Sequence, residues 1–187
     1  MIDHSTWNEV IAVRAGDFVK LPAGGYICIT KNVETGKSQN GNDMLTLYLD
    51  VAEGQFAKHF ENAQYPPKYR QVIFGKDSKL SAAYKAMLED YAKSNSGLKV
   101  DISPFDERTL INKKIGVVFG EREYLYNGVK RVAVEPKKIL SVEDVRNGKF
   151  TVPERELLKE QPKSNVAPKV DDDFIGEEIP DYAVPFK

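Results

Sequence analysis

The sequence predicts a mainly β domain, a small five-stranded barrel in the order β-β-β-α-β-β with one inserted helix, followed by a disordered acidic C-terminal tail. Three observations lead there. Period-two alternation of apolar and polar residues recurs before residue 62 and again after residue 115. One stretch between them, 78–94, switches to a helical period. From about residue 159 onward apolar density is too low to offset the entropy of ordering.

Residues 1–20 mix Trp7, Val10, Ile11, Val13, Phe18 and Val19 with polar residues and read as a lead-in segment with a helical turn. Pro22 and Gly24-Gly25 punctuate the chain. From there Ile27, Ile29 and Val33 fall on one side of a strand, with Tyr26, Cys28 and Thr30 on the other. The polar stretch 35–42 reads as a loop, with Gly and Asn where positive φ is needed. Leu45, Leu47, Leu49 and Val51 then form one buried face, opposite Thr46, Tyr48 and Asp50. The two strands make a hairpin with a long loop. Glu53-Gly54 turns the chain into a third strand near 56–62, which Pro66-Pro67 ends. Residues 69–74 read as extended or irregular.

Leu80, Ala83, Tyr84, Met87, Leu88 and Tyr91 share one face of an amphipathic helix over 78–94, capped by Asp77 or Ser78 and stopped by Gly97. Strands return at 115–125 and 129–139. Between them Asn127-Gly128 signals a two-residue hairpin, because both centres of a type I′ turn need positive φ. Ser141 caps a short helical turn over 141–146. One helix between the third and fourth strands is the order of the OB-fold, a Greek-key barrel whose strands and loops bind oligonucleotides. The domain plan is a lead-in over 1–20, the OB-fold-like barrel over 21–150 and a flexible tail over 151–187.

The Asn-Gly turn fixes a register. Tyr126 pairs with Val129, Tyr124 with Arg131 and Arg122 with Ala133, so Arg122, Tyr124, Tyr126 and Arg131 gather on one face. Glu121, Glu123 and Leu125 share the other face with Lys130, Val132 and Val134, nearer the core. Single-stranded nucleic acid exposes flat bases, which stack on aromatic rings, and phosphates, which Arg and Lys neutralise. The candidate nucleic-acid-binding residues are therefore Arg122, Tyr124, Tyr126, Lys130 and Arg131, extended by Tyr26, Tyr48 and the loop residue Lys37. The plainer reading is that Tyr and Arg on exposed strands only favour the sheet.

The remaining chemistry is sparse. No G-x-x-x-x-G-K-[ST] loop is present. His59 reads as a strand residue rather than a base, and Glu121 with Glu123 as solvated or ion-paired strand acids. No catalytic residue, metal site or cofactor is assigned, and nothing supports an enzyme. Cys28 is the single cysteine and only His4 and His59 are histidines, which argues against a disulfide, a Cys-based zinc site or a His-rich metal site. No apolar run nears the roughly 20 residues of a membrane span, and the N-terminus lacks a signal-peptide pattern. A reducing cytoplasmic setting is expected.

Across all 187 residues, 27 Lys+Arg against 28 Asp+Glu give a net charge of -1. The sum hides an asymmetry. Asp171, Asp172, Asp173, Glu177, Glu178 and Asp181 stand against Lys187 alone in residues 170–187, about -5, which leaves about +4 for the rest. Phe174, Ile175, Ile179, Tyr182, Val184 and Phe186 lie among these acids and do nothing for solubility, so the tail reads as a partner-binding segment.

This ending resembles the acidic C-terminal tip of bacterial and phage single-stranded DNA-binding proteins, where an acidic run closes on Pro-Phe. Pro185-Phe186 matches the ending, and Asp171–Asp173, Glu177, Glu178 and Asp181 match the acidic part; Lys187 follows where the family ends on Phe. The body looks like phage proteins of Gram-positive hosts encoded among replication and recombination genes. That likeness covers roughly 20–155 and rests on Leu21-Pro22-Ala23-Gly24-Gly25-Tyr26, Gly41-Asn42-Asp43-Met44-Leu45, Asp50-Val51-Ala52-Glu53-Gly54-Gln55-Phe56 and Ile115-Gly116-Val117-Val118-Phe119-Gly120-Glu121. The resemblance implies a non-enzymatic single-stranded DNA-binding protein in the host cytoplasm, acting in phage replication and recombination and recruiting partner proteins through its tail. A homo-oligomer is compatible with it. The alternative is a phage accessory protein-interaction module that binds no DNA; a nuclease or recombinase subunit using Glu121 is the weakest reading.

Overall fold

A computed structural model of the protein describes residues 20–74 and 79–158. The expected lead-in, the caps at Asp77 and Ser78, and nearly all of the acidic tail lie outside the described residues. The chain is mainly β. Strands β1 (Gly24–Lys37), β2 (Asp43–Val51), β3 (Lys68–Val72), β4 (Lys114–Tyr126) and β5 (Val129–Leu140) form one antiparallel sheet in the order β3-β2-β1-β4-β5. Helix α1 (Ala82–Ser94) lies between β3 and β4 in the chain, and α2 (Val142–Arg146) follows β5.

The core is one face of this sheet closed by α1. Leu45, Leu47, Leu49 and Val51 bury the face expected of β2. Ile115, Val117 and Phe119 do so for β4, and Tyr84, Met87, Leu88 and Tyr91 for α1. The Tyr91 hydroxyl crosses the core to the Thr30 hydroxyl at 2.6 Å, so two buried polar groups satisfy each other. Ser81, rather than an earlier residue, caps α1: its hydroxyl accepts from the Tyr84 N–H. At the other end the Asn95 side chain donates to the Tyr91 and Lys114 carbonyls and accepts from the Lys114 N–H. That ties the helix end to the start of β4. Ser141 caps α2 as expected, with its hydroxyl accepting from the Asp144 N–H.

Three expectations are corrected. First, β1 carries a register shift between Thr30 and Asn32, which exchanges its faces. Cys28 and Val33 consequently both belong to the core side, whereas simple alternation separates them. Second, residues 35–37 are not loop but strand, paired with Leu45, Met44 and Asp43; only 38–42 turn the hairpin. Third, residues 56–62 are not a strand but successive turns. Lys58 adopts φ 61°, and the Asp50 carboxylate accepts from the Val51 and Phe60 N–H groups. The third strand is Lys68–Val72.

The centre of the outer sheet face is covered by the chain that follows β5. A methyl group added at Gly116 would lie 2.5 Å from Val145 Cγ2 and 2.7 Å from the Ser141 carbonyl oxygen. One added at Gly25 would meet the Phe150 ring at 2.4 Å. These glycines let α2 and Phe150 sit directly on β4 and β1. Glu53 fastens α2 to the turn after β2 by holding both Lys114 and Arg146, whose hydrogen bonds keep its carboxyl below the usual range.

Candidate nucleic-acid interface

The register places β4 beside β1 only as far as Gly24↔Phe119. Beyond Phe119, β4 and β5 continue as a projecting arm closed by Asn127 and Gly128 at φ 50° and 75°. The side of β4 vacated by β1 is taken by residues 153–158. Glu156 bridges β4 in parallel at Arg122: the Glu123 N–H donates to the Glu156 carbonyl, and the Glu156 N–H to the Glu121 carbonyl.

The arm's outward face carries Arg122, Tyr124, Tyr126 and Arg131 in the register expected. Arg131 stands opposite Tyr124 and lies over the Tyr126 ring, 4.7 Å from guanidinium carbon to centroid. Arg122 is engaged by Glu135, with Nε 2.9 Å from Oε1 and Nη2 on the same oxygen. Lys137 Nζ reaches Glu135 Oε2 at 3.4 Å and Glu156 Oε1 at 2.9 Å. The opposite face carries Lys130 3.2 Å from Glu123, and Arg155 in contact with Glu121. The Leu158 N–H also donates to Glu123, and that bond, with Lys130, holds this carboxyl below its ordinary range.

The other three expected residues stand apart. The Tyr26 side chain points to the core side rather than outward. Its ring meets Phe56 and Phe119 edge-on at 5.9 and 5.7 Å, and its hydroxyl donates to the Pro22 carbonyl. Tyr48 is on the outer face of β2, where its hydroxyl donates to Glu34 at 2.6 Å and Lys68 lies 5.3 Å from its ring centroid. Lys37 is at the end of β1, 2.6 Å from Asp43. Because β1 pairs with β4 through its first half and with β2 through its second, the two hairpin tips point opposite ways along β1. The outer face thus has two windows, one at the arm and one around Tyr48, with α2 and Phe150 over the strands between them.

Lys68 and Arg70 on β3 belong to the Tyr48 window, opposite Tyr48 and Thr46. Sequence reasoning missed them because it placed the third strand too early. The alternation Lys-Tyr-Arg-Gln-Val directly after Pro66-Pro67 was the available signal. Among the described residues no three His, Cys, Asp or Glu side chains gather as a metal-binding group. No helix among them is long and apolar enough to cross a membrane. In comparisons with known proteins, no family model matches the chain and no curated protein is significantly similar to it.

Proposed function

We propose that the protein binds single-stranded DNA through the β4–β5 arm, with an OB-fold-like barrel as scaffold and the acidic tail as its contact with replication or recombination proteins. The observation that carries this is the outward face of the arm, where two tyrosines and Arg131 stand together on adjacent strands. Stacking on such rings is worth roughly 1–3 kcal/mol per base and does not depend on base identity. The barrel reading is supported by the strand order, by α1 between β3 and β4, and by the approach of the edge strands β3 and β5 to each other. The tail's acidic run and Pro185-Phe186 support the phage single-stranded DNA-binding reading.

The test is fluorescence anisotropy with labelled oligo-dT at two salt concentrations. Binding is expected at micromolar protein, weakened about tenfold or more when Tyr124→Ala and Arg131→Ala are combined, on the scale of one lost stacking contact. Binding unchanged in the folded double variant would move the site off the arm. One feature favours a protein-only accessory module instead: Arg122, Lys130 and Lys37 each already hold a carboxylate. That reading predicts no oligo-dT binding at all.

A further inference from the structure

We infer that Glu135 sets the affinity of the arm for polyanions, by holding Arg122 and Lys137 out of phosphate contact; this rests on the nucleic-acid reading of the same face. The register makes the restraint. Glu135 stands opposite Gly120, whose bare face is taken by Pro153 and the Lys137 stem, and Arg122 stands opposite the small Ala133, so the two long side chains meet diagonally across the strands. Glu135 Oε1 takes both Arg122 donors and Oε2 faces Lys137. Lys137 is shared with Glu156 from the segment laid along β4. Two cations and two carboxylates therefore cancel at the root of the face that presents Tyr124 and Tyr126.

The bridge is only about one-third exposed on either side, so salt screens it less than a fully exposed pair. Burial pushes the Glu135 carboxyl up, but Arg122 and Lys137 outweigh it and the group stays below its ordinary range. Glu135 is thus a carboxylate throughout the neutral range, and a phosphate approaching Arg122 must displace a charged acceptor that already holds two of its N–H groups. The wild-type arm accordingly binds through its rings with few released counterions, and its affinity falls only shallowly with salt.

The test is oligo-dT titration of the full chain across a salt series, with Glu135→Gln and, separately, Glu156→Gln, whose side chain is mostly exposed, each variant checked for folding by its melting temperature. Glu135→Gln is expected to tighten binding about fivefold or more at low salt and to steepen the log–log salt slope by about 0.7 per cation released. Glu156→Gln is expected to do the same to a smaller degree, chiefly through Lys137. Adding Arg122→Gln to Glu135→Gln should remove part of the steepening. A merely structural Glu135 would lower the melting temperature and leave the slope alone. Equal or weaker binding by both folded variants, with wild-type binding intact, overturns the inference only. A wild-type chain that does not bind oligo-dT overturns the function and this inference together.

Discussion

Cys28 has a fully buried thiol on the core side of β1. Burial, and secondarily the negative charge of Asp50, push its ionisation far above the ordinary thiol range. Only the thiolate reacts with disulfide reagents, so burial blocks both access and ionisation. The native protein at pH 8 is expected to leave an aromatic disulfide reagent unconsumed over hours and to react at once in denaturant. Prompt labelling of the native state would place Cys28 outside the core. His59 shows the same environment acting in the opposite direction on a base. It sits edge-on between Phe56 and Phe60, and burial lowers its pKa despite the nearby Asp50. A neutral imidazole wedged among aromatic rings is a packing element of the turns after β2.

Among the elements, α2 is short, and its position depends on the absence of a side chain at Gly116. Gly116→Ala drives a methyl group into the Ser141 carbonyl, which belongs to the backbone and cannot rotate away. A loss of about 1–3 kcal/mol is expected from this overpacking, read as a lower urea midpoint with an unchanged m-value. A neutral substitution would mean that α2 does not seat on β4. The sequence announced β2, α1, the β4–β5 hairpin and the α2 cap clearly, because each carries a strong local signal. Four alternating aliphatic residues mark β2, a helical apolar stripe marks α1, Asn-Gly marks the turn and Ser141 marks the cap. β3 was not legible. Its only residue packed on the core is Tyr69, between charged and polar neighbours, while Phe56 and Phe60 mimic a strand from inside a set of turns. The arm's outward face was legible because a two-residue turn fixes every pair behind it. The carboxylates that occupy its cations were not, since Glu135 reaches Arg122 diagonally and Glu156 arrives from a segment with no strand signal.

The whole molecule carries its charge in two parts of opposite sign, about +4 for residues 1–169 and about -5 for 170–187. The last described residue, Leu158, has its N–H on the Glu123 carboxylate, so the described chain ends beside the arm itself. From there to Asp171 a contour of 13 residues spans up to about 45 Å, ample for the acids to reach the face bearing Tyr124 and Arg131. On the proposed function, an acidic segment tethered there is expected to compete with a nucleic-acid backbone at low salt. Deleting residues 170–187 is therefore expected to raise oligo-dT affinity several-fold at about 20 mM salt. The gain should fade towards 0.3 M, where screening acts over well under 10 Å. Arg122 and Lys137 are already engaged by Glu135, which limits the gain. Combining the truncation with Glu135→Gln separates the two effects: if the tail can act on the cations that Glu135 releases, the joint gain exceeds the sum of the single gains, whereas independent effects simply add. A truncated chain that binds oligo-dT more weakly would mean that the tail contributes to binding rather than competing with it.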